Sequence, residues 1–594
     1  MSMWIELGLV IVATALAFAA PSFGAKWFST AERVFARLAE RQRLAVLAVA
    51  LLALGARCAI LPVLPEPQPT INDEFSFLLA ADTFAHGRLT NPTPPLWIHF
   101  ETFHEIMRPT YASMYPPCQG LILALGEVAT GHPFAGVCLS VALLCGAICW
   151  MLQGWLPGRW ALLGGLLAVM HFDVFSYWAN SYWGGAMAGV GGALSLGALP
   201  RIKRKPRVID ACLMGFGIAI LANSRPYEGL IFSLPVAFAL LVWIASRERA
   251  RLRAVVLRVV LPLGLVLGLA ALATGYYFWR VTGSPFRMPY QVDRETYAVA
   301  PYFLWQSPRP KPAYHHVAMR DFYNHNELDF YKQTRSPAGM VAVVGAKFAD
   351  LWVFYFGPLL TLPFVMVIAT MPIGFSWASI NRDTRFLLEA VAFSLAGLAV
   401  EVYFFPHYAA PMTSLLLACV LLAMRRLRRW QWRGRPSGQF LTRAIPLGCL
   451  LLLPLRAAAG FLRLPLTPSW PPTWYNSAPV KTARARIEGK LESQPGGQLA
   501  IVRYASPAKA KYEWVYNRAD IGSAKVVWAR DMGPEQDQEI IDYFKDRRVW
   551  LVQPDEDPPR LSLYSLPFSE SAVQDTARAS AGPHPPQPAR HADP

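Results

Sequence analysis

Asp73 and Glu74 stand side by side about ten residues past an apolar run, at the head of Ile71-Asn72-Asp73-Glu74-Phe75-Ser76-Phe77-Leu78-Leu79-Ala80-Ala81. After the acids, apolar residues recur at helical spacing, which predicts an interfacial helix with both carboxylates in its first turn. A carboxylate there can cap the helix, with Asn72 able to share the task, because free amides and the helix dipole favour it. It can also accept a proton from a hydroxyl, and one geometry serves both roles. The loop continues through Trp97-Ile98-His99-Phe100-Glu101-Thr102-Phe103-His104-Glu105 and then Tyr111-Ala112-Ser113-Met114-Tyr115-Pro116-Pro117, mixing acids, histidines and aromatics. Glu101, His104 and Glu105 could orient an acceptor or share a helical face around a metal. Three such residues are a weak metal signal, and solvated polar surface is the plainer reading. No metal site is assigned, and a divalent metal stays open as a cofactor.

The elements that must position these groups are membrane spans. The chain has 594 residues, 54% hydrophobic and 16% charged, with a formal charge of +17. Apolar runs at roughly 4–24, 43–64, 134–152, 160–178, 183–199, 208–222, 229–246, 255–279, 348–372, 385–405, 408–424 and 444–462 are span candidates for a hydrocarbon core of about 30 Å. The first is read as a retained span, since it lacks a basic segment before it. The run 119–130 is short and follows Pro116-Pro117, so it reads as interfacial. Lys and Arg gather in four short loops, with five at 25–43, five at 201–207, five at 247–258 and seven at 425–443. That clustering is a positive-inside signal and outweighs a nucleic-acid reading of the charge. With 119–130 interfacial, all four clusters face the cytoplasm. The loops 65–133 and 280–347, the turn at His407 and everything after 463 then lie outside. The eight cysteines sit in or beside apolar runs, where they read as packing residues.

Hydropathy drops after about 466. The segments 499–504, 525–529 and 548–552 read as strands and 534–545 as an amphipathic helix, a small α/β domain with a parallel unit. From 576 the Pro- and Ala-rich tail reads as disordered. The expected domains are 1–42, an extra span with a basic loop; 43–465, the membrane core; 466–575, the α/β domain; and 576–594, the tail.

In its order of parts the chain resembles the integral-membrane glycosyltransferases of the GT-C fold, in the branch of protein O-mannosyltransferases and aminoarabinose transferases. A span is followed by Asp73-Glu74 heading an interfacial helix, then Ala80 or Ala81 toward Gly87, then a segment bearing Pro116-Pro117, many spans and a soluble tail. The resemblance implies that Asp73 is the base activating the acceptor, with Glu74 its nearest competitor. It also implies a polyprenyl-phosphate sugar donor entering from the bilayer and an acceptor hydroxyl on a lipid, glycan or protein.

One-step displacement would invert the anomeric centre, and the leaving phosphate needs positive charge nearby. Arg225, with Glu228, in Asn223-Ser224-Arg225-Pro226-Tyr227-Glu228-Gly229 could supply it, as could Arg287, Arg294, Lys311 and Arg320 of the second loop. A snorkelling Arg paired with an acid is the plainer reading of Arg225. His407-Tyr408 resembles an Arg-Tyr-x-x-Pro element with His in place of Arg, which weakens its charge. Asp173, at a span end within an aromatic belt, is a secondary candidate, and His315, His316, His325 and Glu327 read as loop polarity.

The expectation is therefore a multi-span α-helical membrane protein of about twelve transmembrane helices, with interfacial helices in the first external loop and a small C-terminal extracytoplasmic α/β domain. It would sit in the plasma membrane with the active site outside, and no nucleic acid would be a partner. The alternatives are a transporter or lipid flippase, which would place charges within spans, and a non-catalytic envelope assembly protein.

Overall fold

The computed structural model describes residues 2–371, 376–459, 461–462, 482–505 and 513–564. The expected tail at 576–594 and the start of the expected α/β domain at 466–481 lie outside the described residues. The chain opens with α1 (Ser2–Ala19), α2 (Ala25–Glu40) and α3 (Gln42–Ala59). The first large loop holds α4 (Asn72–Ala85), the short hairpin of β1 (Glu105–Ile106) and β2 (Ala112–Ser113), and α5 (Pro117–Thr130). Then follow α6 (Phe134–Trp155), α7 (Gly158–Ala168) with a π turn at Val169–Asp173, α8 (Ala186–Arg204), α9 (Val208–Ala222) and α10 (Pro226–Ala245). Beyond them α11 (Arg249–Val255) leads through a π turn into α12 (Leu261–Thr282). The second large loop carries α13 (Pro289–Tyr297), α14 (Val317–Asp321) and α15 (Leu328–Gln333). The last membrane helices are α16 (Pro337–Tyr355), α17 (Gly357–Ala369), α18 (Arg382–Ala399), α19 (Thr413–Leu427) and α20 (Ser437–Ala457).

The chain is a multi-span membrane protein. Among the described residues, seven helices are long and apolar enough to cross a bilayer, and three more are shorter and apolar. Side-chain contacts fix which ends meet. Gln153 Nε2 at the end of α6 donates to the Gln42 carbonyl at the start of α3 (2.9 Å), and the Arg57 guanidinium lies 4.7 Å over the Phe134 ring. The two helices are therefore antiparallel, and residues 60–133 leave and re-enter at one end. The 14 residues of α5 rise only about 21 Å, less than the hydrocarbon thickness, so α5 stays at that end.

At the other end Glu32 bonds Arg428 (3.0 Å) and Arg443 (2.9 Å), and Arg204 reaches the Gly154 carbonyl, gathering the basic loops opposite the two large ones. One expected span divides. The run 348–372 is two helices, α16 and α17, because Gly357 takes a left-handed φ of 56° and Pro358 lacks an amide proton. The Glu6 carboxylate packs against that bare Gly357 and accepts from the Leu359 amide at 3.3 Å.

The C-terminal part is α21 (Ala483–Glu492), β3 (Gly497–Val502), β4 (Val526–Arg530), α22 (Pro534–Tyr543), β5 (Arg547–Gln553) and β6 (Arg560–Leu563). Its sheet order is β4-β3-β5-β6, with β3 parallel to both β4 and β5 and with β6 antiparallel. Strands β3 and β4 are almost wholly buried, as parallel strands covered on both faces are. One face packs on Ile487, Leu491 and Trp514, while Leu499, Ile501 and Val527 share a core with Leu79, Phe100, Met107 and Tyr111 of the first loop.

Candidate active site

A cavity of about 1700 Å³ opens at the large-loop end. Asp73, His104 and Tyr115 line it from the first loop, Arg225 and Glu228 from the head of α10, and Tyr290, Arg294, Tyr302 and Glu327 from the second loop. Lys347 and Asp350 of α16 and Tyr403 and Tyr408 before α19 complete it.

The two acids at the head of α4 part ways. Glu74 is buried and accepts from the Thr70 amide (2.8 Å), the Thr70 hydroxyl (3.0 Å), the Ile71 amide (3.3 Å) and the Tyr182 amide (3.0 Å). Burial pushes its carboxyl above the ordinary range, against the pull of those donors. It is thus Glu74, at the third helical position and reaching back to the preceding amide, that caps α4, in place of the capping expected of Asp73 or Asn72. Its hydrogen-bonding capacity is turned away from the cavity.

Asp73 faces the cavity. Its Oδ1 accepts from the Tyr115 hydroxyl at 2.5 Å, and its Oδ2 lies 3.6 Å from His104 Nδ1. Burial and the neighbouring carboxylate both push the Tyr115 phenol well up, so it stays a donor. Its one proton goes to Asp73, which leaves His104 Nδ1, 3.2 Å from the Tyr115 oxygen, to donate to that oxygen. Burial lowers the His104 pKa despite the opposing pull of Asp73, so the ring is neutral near pH 7 and orients the carboxylate without pairing with it as a cation.

The cations stand across from this acid. The Arg225 guanidinium lies 4.1 Å over the Tyr408 ring and 3.4 Å from Glu228. Arg294 makes two 2.8 Å bonds to Glu327 and a third to the Ala300 carbonyl. Burial works against its charge, but Glu327 more than offsets this and holds Arg294 well above its ordinary value. Lys347 donates to the Glu401 carbonyl, and no carboxylate lies within ion-pair distance of it among the described residues.

Beside Arg294, Asp293 is 1% exposed and neither of its oxygens has a hydrogen-bond partner; burial pushes its pKa from 3.8 up to about 7. The folded state therefore holds a proton that the unfolded chain has released between about pH 4 and 7, so stability is lost as pH rises through that window and not below it. Asp293→Asn is expected to raise stability by about 1–3 kcal/mol at pH 8 and to change it little at pH 4, read from thermal unfolding at the two pH values.

Other expected site residues lie away from the cavity. Glu101 is buried against the Tyr297 hydroxyl (2.8 Å), His315 (3.0 Å) and His316 (3.6 Å), where it ties the first loop to the second. Asp173 is fully buried at the end of its π turn and does not line the cavity. The His407 ring packs at 10° to Phe405 and edge-on to Trp183, with Nδ1 3.1 Å from the Tyr177 hydroxyl; its neighbour Tyr408 lines the cavity and His407 does not. The positive charge over Tyr408 thus comes from Arg225 on another helix. Arg287 pairs with Glu295, Arg320 with Asp321, and Lys311 is exposed; none of the three lines the cavity.

Among the described residues no group of three His, Cys, Asp or Glu is disposed to hold a metal ion. Glu101, His104 and Glu105 diverge, with Glu105 turned to Tyr111 at 3.4 Å. Sequence reasoning missed Tyr115 and Lys347. The signal for Lys347 was a lone ammonium closing the apolar run that opens α16; Tyr115 carried none beyond its place beside Pro116-Pro117.

Neither protein-family models nor curated proteins match the sequence. Among solved structures the chain is similar to ArnT from Cupriavidus metallidurans in the apo state, with 13% identity over 86% of this chain and 92% of that one and a TM-score of 0.44. The same protein bound to undecaprenyl phosphate gives 14% identity, the same coverage and a TM-score of 0.43. The apo oligosaccharyltransferase of Archaeoglobus fulgidus gives 10% identity over 86% and 69% of the two chains and a TM-score of 0.42. At such identities the chemistry of the cavity has to be argued from this chain's own side chains.

Proposed function

We propose that the protein is a membrane glycosyltransferase that moves a sugar from a polyprenyl-phosphate donor to an acceptor hydroxyl, with Asp73 as the base. The observation that carries this reading is one cavity with two chemistries: a partly exposed carboxylate oriented by Tyr115 and His104, and the cations Arg225, Arg294 and Lys347. The acceptor hydroxyl loses its proton to Asp73 Oδ2 as its oxygen bonds the anomeric carbon. The bond from that carbon to the phosphate oxygen breaks, and the phosphate leaves with the electron pair, already ionised and held by the cations. Attack opposite the leaving group inverts the centre.

The cavity wall also includes Leu230 of α10 and Ala342, Val343 and Ala346 of α16, apolar residues on membrane helices. Such a wall suits an acyl-like chain whose headgroup reaches the polar end. Aromatic faces of Tyr290, Tyr302, Phe303 and Tyr403 offer surfaces on which a sugar ring can stack. The basic loops gather at the end opposite the cavity, and the positive-inside rule supports an extracytoplasmic cavity in the plasma membrane. Purified protein incubated with a panel of labelled polyprenyl-phosphate sugars is expected to release or transfer one of them. No turnover across the panel, with lipid-linked pyrophosphate sugars included, would sink the reading.

A further inference from the structure

We propose that the C-terminal domain is a clamp on the catalytic loop and that Tyr516 is the positioning residue through which it acts; this rests on the role proposed for Asp73. Phe75, Leu79 and Asp82 recur at the spacing of one helical face of α4. All three meet the C-terminal domain. The Tyr516 ring stacks on Phe75, with centroids 4.2 Å apart and planes 1° from parallel. Leu79 joins the core formed with Leu499, Ile501 and Val527. The Asp82 carboxylate accepts from the Ala519 amide at 2.7 Å.

Phe75 and Asp82 are seven residues apart, about 10 Å along the axis, so contacts at both fix the direction of α4 and not merely one point on it. Asp73 lies two residues before Phe75, about 200° around the helix, which turns it from the domain toward the cavity. Tyr516 is itself held by Arg484, which donates to the Tyr516 carbonyl at 3.0 Å and lies 4.8 Å from the Phe75 centroid. The same domain grips the segment that leads to His104: Arg530 donates to the Glu101 carbonyl at 3.2 Å, while its own carbonyl lies 3.1 Å from His99 Nδ1. The helix that carries Asp73 and the segment that leads to His104 thus hang from one support. A base must sit within hydrogen-bond reach of the proton it takes, and a misplacement of about 1 Å costs on the order of 10²-fold in rate.

The test compares full-length Tyr516→Phe, Tyr516→Leu and Tyr516→Ala. Phe keeps the stack and gives up only the long 3.4 Å bond from the hydroxyl to the Phe103 carbonyl, Leu keeps apolar volume without the stack, and Ala loses both. The clamp predicts that Leu and Ala lower kcat about 10- to 100-fold with donor KM within about twofold, and that Phe stays near wild type. It also predicts faster amide exchange across residues 76–82 in Leu and Ala and not in Phe. Unchanged exchange in Leu and Ala, or equal loss in all three variants, overturns it. The exchange arm needs no turnover: if it responds as expected while the wild-type protein transfers no polyprenyl-linked sugar, the clamp stands and the glycosyltransferase reading fails.

Discussion

Asp73→Asn is expected to lower sugar transfer by about 10²- to 10⁴-fold while leaving insertion and folding intact. The amide keeps the shape of the carboxylate and can still accept from the Tyr115 hydroxyl, which now lies 2.5 Å from Oδ1. It cannot take a proton. Because Asp73 is partly exposed to the cavity and is not the residue that caps α4, its charge adds little to stability, so thermal unfolding should move by no more than a degree or two. Transfer of label from the donor found active by the panel is the measurement. A variant that turns over at the wild-type rate would remove Asp73 from the reaction.

Glu74→Gln should behave in the opposite sense, because four donors converge on a carboxylate with no route to substrate. The pair that looked interchangeable in the sequence therefore divides into one acid for the helix and one for the cavity.

The second large effect is at Arg294. Replacing it alone with Met strands Glu327, a carboxylate that accepts two 2.8 Å bonds from the guanidinium in a nearly buried site, and should cost about 3–5 kcal/mol of stability. Changing both partners, Arg294→Met with Glu327→Leu, removes the stranded charge and should restore most of that loss, because an apolar pair avoids the desolvation both ions suffered. Donor binding should not recover. A charge-assisted hydrogen bond to phosphate is worth about 1.5–3 kcal/mol, so donor KM should stay raised about 10- to 100-fold in the double variant. Unfolding midpoints and donor KM separate the two effects. A double variant with normal stability and normal KM would show that the ion pair only holds the second loop together and that the phosphate is bound by Arg225 and Lys347.

The membrane architecture was legible because it depends on composition over whole segments. Runs such as 208–222 became α9 with the same limits, since a helix is the element that satisfies its own backbone in lipid. Where a run broke, the cause was local: Gly357 and Pro358 ended α16 inside what hydropathy alone read as one span. The strands of the C-terminal domain were legible from their β-branched and aromatic runs, and β6, which is short and partly exposed, was not.

The cavity was legible only in part. Asp73, Arg225, Glu228 and Tyr408 line it, as does Arg294 of the second loop, whereas Glu101, Asp173 and His407 share their chemistry but face other partners. A residue type and its neighbours in sequence do not say which way a side chain points once several loops and helices converge.

What the sequence by itself determined was the class of the protein: a basic, strongly apolar chain with four short loops rich in Lys and Arg and two long loops that mix acids, histidines and aromatics. That follows from transfer energetics, which act on each segment separately. Only the tertiary structure decided that Asp73 and not Glu74 faces the cavity, that Lys347 from a distant helix joins Arg225 and Arg294 there, and that the C-terminal domain reaches back more than four hundred residues to stack Tyr516 on Phe75. Those contacts depend on how separately stable segments pack, and packing is set by shape and by the need to satisfy buried polar groups across the whole chain, which no local window contains.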